Sequence, residues 1–167
     1  MSIAAVVAGS YSGTWNSVAL QYTRQGFTLH WNLKVERVEE SDLYGLSLID
    51  LIYRGAQVMV DCIGKVYGAG VTGPLAAWTG TFGTVYSAAS PIGQLGSGIA
   101  KALVLTAVAN TPAATAGNIA TFTAALTMIR ADNDFQLILD SRGRDVPLSW
   151  DVLLKDTAGT GTFFATT

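Results

Sequence analysis

Phe27-Thr28-Leu29-His30-Trp31-Asn32-Leu33-Lys34-Val35-Glu36 is the stretch that decides the fold. Phe27, Leu29, Trp31, Leu33 and Val35 alternate with Thr28, His30, Asn32, Lys34 and Glu36. Strict period-two alternation with aromatic and branched residues on one face predicts a strand, here running from Phe27 to Val38. Working backward, Ser17 to Thr23 reads as its hairpin partner, turning through Arg24-Gln25-Gly26. Working forward, Glu39-Glu40-Ser41-Asp42 reads as an acidic loop. Beyond it, Leu46 to Arg54 has apolar groups at 48, 49, 51 and 52, which predicts a short amphipathic helix stopped by Gly55.

Ala56 to Tyr67 reads as a further strand, with Val58, Val60, Cys62 and Val66 on one face and Gln57, Asp61 and Lys65 on the other. Leu103 to Val108 and Ile119 to Ile129 are apolar on both faces. Their Thr, Val and Ile content favours strands, with a helix as the alternative for the second. Phe135 to Leu139 and Val146 to Leu154 predict a hairpin across residues 140–145, since Val146, Leu148, Trp150, Val152 and Leu154 alternate. Phe163 and Phe164 are candidate anchors for a Gly/Thr-rich tail. About seven strands and one short helix predict a mainly-β chain, a β-sandwich or partly closed barrel, in one domain over residues 1–167.

The 167 residues are 50% hydrophobic but only 13% charged, against about 25% in an ordinary soluble domain. Lys101 is the only charged residue between Lys65 and Arg130. This composition excludes a disordered chain and predicts a surface largely covered by other protein. The uncharged stretches are broken by Gly, Pro, Ser and Thr, so no membrane span is expected. A net charge of −2 argues against tight nucleic-acid binding, which needs a basic face. Met1 to Gly9 lacks the basic start and length of a secretory signal, so the chain reads as a cytoplasmic product.

Little in the sequence points to chemistry. Cys62 is the only cysteine, which leaves no internal disulfide and no structural zinc site, and its alternation with valines predicts a buried thiol. His30 is the only histidine and lies on the polar face of a regular strand, where a solvated or interface role outweighs a catalytic one. Gly68-Ala69-Gly70-Val71-Thr72-Gly73 fits a dinucleotide fingerprint formally. Pro74 and a Gly/Thr-rich stretch follow it where a phosphate site needs a helix N-terminus, so it reads as a loop. Glu36, Glu39, Glu40 and Asp42 lack the spacing of a calcium loop. No catalytic residue, cofactor site or metal site is expected, and the chain does not read as an enzyme.

Several stretches taken together resemble the tail tube proteins of tailed bacteriophages. They are Gly26-Phe27-Thr28-Leu29-His30-Trp31 running into the acidic segment, and Leu48-Ile49-Asp50-Leu51-Ile52-Tyr53-Arg54-Gly55 leading into a strand. Trp78 with its Gly/Thr surroundings, Arg144-Asp145-Val146-Pro147-Leu148 and the Gly161-Thr162-Phe163-Phe164-Ala165-Thr166-Thr167 terminus complete the pattern.

The resemblance implies a β-sandwich with a flanking helix that assembles into hexameric rings. The rings stack into a hollow tube whose inner sheets join around a lumen. DNA would pass through without specific binding. The implied location is the virion tail, after synthesis in the host cytoplasm, with tape measure, terminator and distal tail proteins as further partners. On this reading Glu39, Glu40, Asp42 and Tyr44 form a loop meeting the next ring. The polar faces bearing Lys34, Glu36, Asp61, Lys65 and Asp151 line the lumen or the outer surface. Two alternatives stand beside it: another virion component (head–tail connector, terminator, distal tail or capsid decoration protein), and a surface-binding β-sandwich using Trp15, Trp78 or Tyr86.

Overall fold

The computed structural model describes residues 10–20, 22–41, 45–66, 95–109, 119–130 and 144–167. Among them the chain is mainly β. The strands are β1 (Tyr11–Trp15), β2 (Val18–Ala19), β3 (Tyr22–Ser41), β4 (Gly45–Val66), β5 (Lys101–Ala107), β6 (Thr121–Ile129), β7 (Arg144–Val152), β8 (Lys155–Thr157), β9 (Thr160–Thr162) and β10 (Ala165–Thr166). One turn of helix, α1 (Gly96–Ile99), precedes β5. The main sheet is antiparallel in the order β2-β1-β5-β6-β7-β4-β3, and β8 pairs with β9 in a separate hairpin.

The sheet folds over on itself without closing into a barrel. β6 pairs with β7 only over Thr127–Ile129, and near its start it pairs with β10 instead, opposite Phe122 and Thr123. The two halves therefore diverge and face each other across one core. At one end Phe27 of β3 lies so close to β1 that a Cβ on Gly13 would stand 2.5 Å from its ring. The core contains Trp15, Leu103, Leu105 and Phe122 from one half and Val58, Val60, Cys62, Leu148 and Trp150 from the other. Trp15 and Trp150 meet with ring centroids 6.4 Å apart.

The strand expected at 27–38 lies within β3, and those expected at 56–67, 103–108 and 119–129 fall on β4, β5 and β6, except that Val108, Ile119 and Ala120 flank the strands and Tyr67 lies outside the described residues. Phe163 and Phe164 do anchor the tail: both pack on the core, with Phe164 between Trp31 and Phe122 at centroid distances of 5.3 and 4.8 Å.

Several local expectations are corrected. Val18-Ala19 pairs back onto β1, not onto β3. Asn16 and Ser17 both have positive φ, 51° and 64°, the backbone that a tight two-residue hairpin turn requires. Arg24-Gln25-Gly26 is accordingly no hairpin turn. It is an irregularity inside β3, between the pairs Thr23–Gly64 and Phe27–Cys62.

The expected helix over Leu46–Arg54 is part of β4, and the expected acidic loop is strand as far as Ser41. The reason lies in two register shifts. Glu39 faces Leu48 and Val38 faces Asp50, leaving Ile49 extra; Val35 faces Tyr53 and Lys34 faces Gly55, leaving Arg54 extra. Each bulge adds one residue to β4. Same-face positions such as 48 and 51 are thereby three apart, which imitates helical spacing.

β7 stops at Val152, so Leu154 lies beyond the alternation and is exposed. Phe135–Leu139, Gly68–Gly73, Trp78 and Tyr86 lie outside the described residues.

Candidate functional site

β7 covers β4 only from Val66 to Val58. Beyond that point β3 and β4 continue together as a two-stranded ribbon, from the pair Leu33–Ala56 to the pair Ser41–Gly45. Residues 33–41 at about 3.3 Å each make a ribbon roughly 30 Å long.

The face of β3 and β4 that forms the core runs on along this ribbon. Leu29 faces Val60, Trp31 faces Val58, Leu33 faces Ala56 and Val35 faces Tyr53. Val58 and Val60 are buried, yet Trp31, Leu33, Val35, Leu51 and Tyr53 are 48–60% exposed. Leu48 and Leu29, on the same side by register, are 46% and 44% exposed, and toward the ribbon's far end that side also carries Arg37 opposite Leu51 and Glu39 opposite Leu48. Apolar alternation is normally the mark of a buried face, and a contiguous apolar patch on a surface marks an interaction site. The outer edge of β3 adds a second unsaturated feature. Among the described residues it is an end strand of its sheet, and unpaired backbone groups along such an edge are a template for another chain.

The opposite face is largely polar, although Val38 and the exposed Ile52 lie on it, and register places all five expected polar residues there. Lys34 and Glu36 follow His30 along β3, Asp61 faces Thr28 and Ser149, Lys65 faces Asp145, and Asp151 faces Met59. Three carboxylates on this side have close polar partners. Asp61 lies 2.9 Å from His30 Nε2 and also accepts a hydrogen bond from Ser149 Oγ. Glu36 accepts from Arg54 Nε at 2.6 Å, and Asp145 accepts from Arg24 at 2.8 Å.

A shallow cleft of about 380 Å³ lined by His30, Asp61, Arg130 and Ser149 opens on this side. The carboxylate stands between hydroxyl and imidazole. A nucleophilic triad needs the imidazole in the middle, where it can take the serine proton, so this trio is a structural pairing. Among the described residues no three His, Cys, Asp or Glu side chains gather where they could hold a metal ion. Cys62 is buried, its thiol pushed up to about 12 by burial and, secondarily, by the Asp61 charge.

Of the four residues expected to meet a neighbouring ring, Glu39 and Glu40 lie on β3 near the far end of the ribbon. Asp42 and Tyr44 lie outside the described residues. Trp15 is 2% exposed and hydrogen-bonded in the core, which removes it as an exposed aromatic for a surface-binding module.

Sequence reasoning missed the ribbon itself. The available signal was the match between the alternation of Phe27–Val35 and that of Tyr53–Val60 read backward through a bulge. No protein-family model matches the chain, and no curated protein matches it either.

Proposed function

We propose that this chain is a self-assembling structural protein of the tail tube type, whose copies form rings that stack into a hollow conduit for DNA. The observation that carries this reading is the ribbon's apolar face, continuous with the core and uncovered in the single chain. A two-stranded ribbon alone is marginal in water. Laid across neighbouring copies, it would bury Leu33, Val35, Leu51 and Tyr53, and the edge of β3 that no described strand pairs would take up a strand of the neighbour.

The charge distribution supports the same reading. A chain with 13% charged residues gains from covering its surface with copies of itself. The polar face, with His30–Asp61, Glu36–Arg54 and Arg24–Asp145 paired, presents little net positive charge to grip passing phosphates. On this proposal the face bearing Lys34, Glu36, Asp61, Lys65 and Asp151 is the lumen or outer surface. The ribbon's far end, with Glu39 and Glu40, meets the next ring, and Asp42 and Tyr44 are proposed to take part in the same contact. No catalytic step and no cofactor enter the proposal.

Negative-stain electron microscopy of the concentrated protein tests it. Hollow tubes or stacking rings of uniform width are expected. Closed rings that never stack would favour a head–tail connector or decoration role, and a chain that stays monomeric even with preformed tail ends would overturn the assembly reading. The charge reversal Glu39→Lys/Glu40→Lys should leave rings intact and weaken their stacking. Normal tube length from that variant would refute the inter-ring placement.

A further inference from the structure

The ribbon leaves the body at one irregular point. Three pairs beyond the end of β7, the bulge at Arg54 and Gly55 breaks the register of β4 against Lys34 and Val35. Gly55 has a φ of +129°, a conformation that side-chain-bearing residues rarely adopt, and a Cβ there would touch nothing within 4 Å. The unusual backbone is therefore set by the bulge and not by crowding, and open space surrounds it. The Glu36–Arg54 ion pair spans the bulge, but both side chains are more than half exposed, and such a pair is a weak latch.

Beside the bulge a groove of about 690 Å³ opens between the ribbon's base and the chain leaving β7. Tyr53 from the ribbon and Leu154 and Phe163 from the chain after β7 are among its lining residues. Tyr53 is 60% and Leu154 53% exposed although both line this groove. Val35 and Leu51 share the ribbon face of Tyr53 by register. Bending the ribbon toward the groove would remove this apolar surface from water, the direction favoured by the hydrophobic effect.

We propose that the Gly55 bulge is a pivot and the ribbon a strap, which in the free chain swings toward Leu154 and Phe163 and shields its own apolar face. A neighbouring copy would replace that contact in an assembly. This last step rests on the ribbon being an assembly arm; the swing is a property of one chain and is tested in one chain.

Spin labels at Asp50→Cys on the ribbon and Thr106→Cys on β5, in a Cys62→Ala background, report the ribbon's angle. Labelled chain is diluted into unlabelled chain at a concentration where sedimentation shows monomer, and distances are read by pulsed electron resonance. Two populations, or one broad distribution, are expected. Tyr53→Ser/Leu154→Ser, which alters only exposed positions, should raise the open fraction at least threefold. Gly55→Val should shift or narrow the distribution while circular dichroism stays that of the parent. One narrow distribution, unmoved by the Tyr53/Leu154 variant, overturns the pivot even if Gly55→Val fails to fold. A failure of the unmodified chain to form tubes bears only on the assembly reading and leaves these distances interpretable.

Discussion

The indole Nε1 of Trp15 donates to Thr127 Oγ1 at 2.9 Å, and that hydroxyl in turn donates to the Lys101 carbonyl at 2.7 Å. Trp15 and Thr127 are 2% and 0% exposed, so this relay is the polar spine of an otherwise apolar core. It joins β1, β5 and β6 at the place where the sheet splits. Replacing Thr127 with Val keeps the shape but leaves a buried N–H and a carbonyl without this partner. The expected cost is about 1–3 kcal/mol, read as a lower denaturation midpoint in urea, with Thr127→Ser recovering most of it. An unchanged midpoint for Thr127→Val would show that the relay carries no stability.

At Gly13, β1 and β3 approach each other closely. A methyl group there would stand 2.5 Å from Phe27 Cζ, 3.1 Å from Leu20 Cδ1 and 3.2 Å from Leu105 Cδ2. Gly13→Ala should therefore destabilise the chain by about 1–3 kcal/mol through overpacking, despite the usual gain from replacing glycine in a strand. Combining it with Phe27→Leu should restore part of the loss. Additive losses in the double variant would refute the steric account.

Cys62 should be inert while the chain is folded. With its thiol pushed up to about 12, the thiolate fraction at pH 8 is lower than in the unfolded chain by about tenfold for each unit of the shift. Reaction with a disulfide reagent should speed up at least about a hundredfold on denaturation. The sign for stability follows from the raised value. Below the unfolded thiol's ordinary value the neutral form prevails in both states. As pH rises toward 12 only the unfolded chain ionises, so stability falls across that window. Cys62→Ala should flatten this alkaline decline. Rapid labelling of the native chain would contradict the burial.

Leu51→Ser/Tyr53→Ser should separate assembly from folding. Both side chains are at least half exposed in the single chain, so the thermal midpoint should move little, within about 0.5 kcal/mol per site. Tube or ring formation should be lost. A variant that assembles like the parent would mean that the ribbon's apolar face is not the contact.

Phe164→Ala tests the tail. Removing the ring takes away its contacts with Trp31 and Phe122 and should cost about 1–3 kcal/mol, less than the figure for a fully buried phenylalanine because Phe164 is only partly buried. The fluorescence of Trp31 should shift to the red. No change in either would mean the tail is not seated there.

Much of this protein was legible in its sequence wherever the strands are regular. The alternation of Phe27–Val35, of Val58–Cys62 and of Leu148–Val152 determined three strands and their apolar faces, because side chains of an extended chain change sides at every residue. The partner of Cys62 could not be read, but its burial could, since it falls in phase with Val58 and Val60. Tertiary structure decided the rest. Two bulges in β4 add Ile49 and Arg54, and each shifts the phase by one residue. That turned a strand into an apparent helix, because a sequence window counts residues while a sheet counts paired positions. Tertiary structure also decided which apolar positions are covered. Trp31 and Trp150 stand in equally good alternating patterns, yet one is half exposed and the other buried. The difference is that Trp150 stands on β7, flanked by β6 and β4, whereas Trp31 stands on β3, which among the described residues has a strand on one side only, and which strands lie side by side is a property of pairing between distant segments, not of any local pattern.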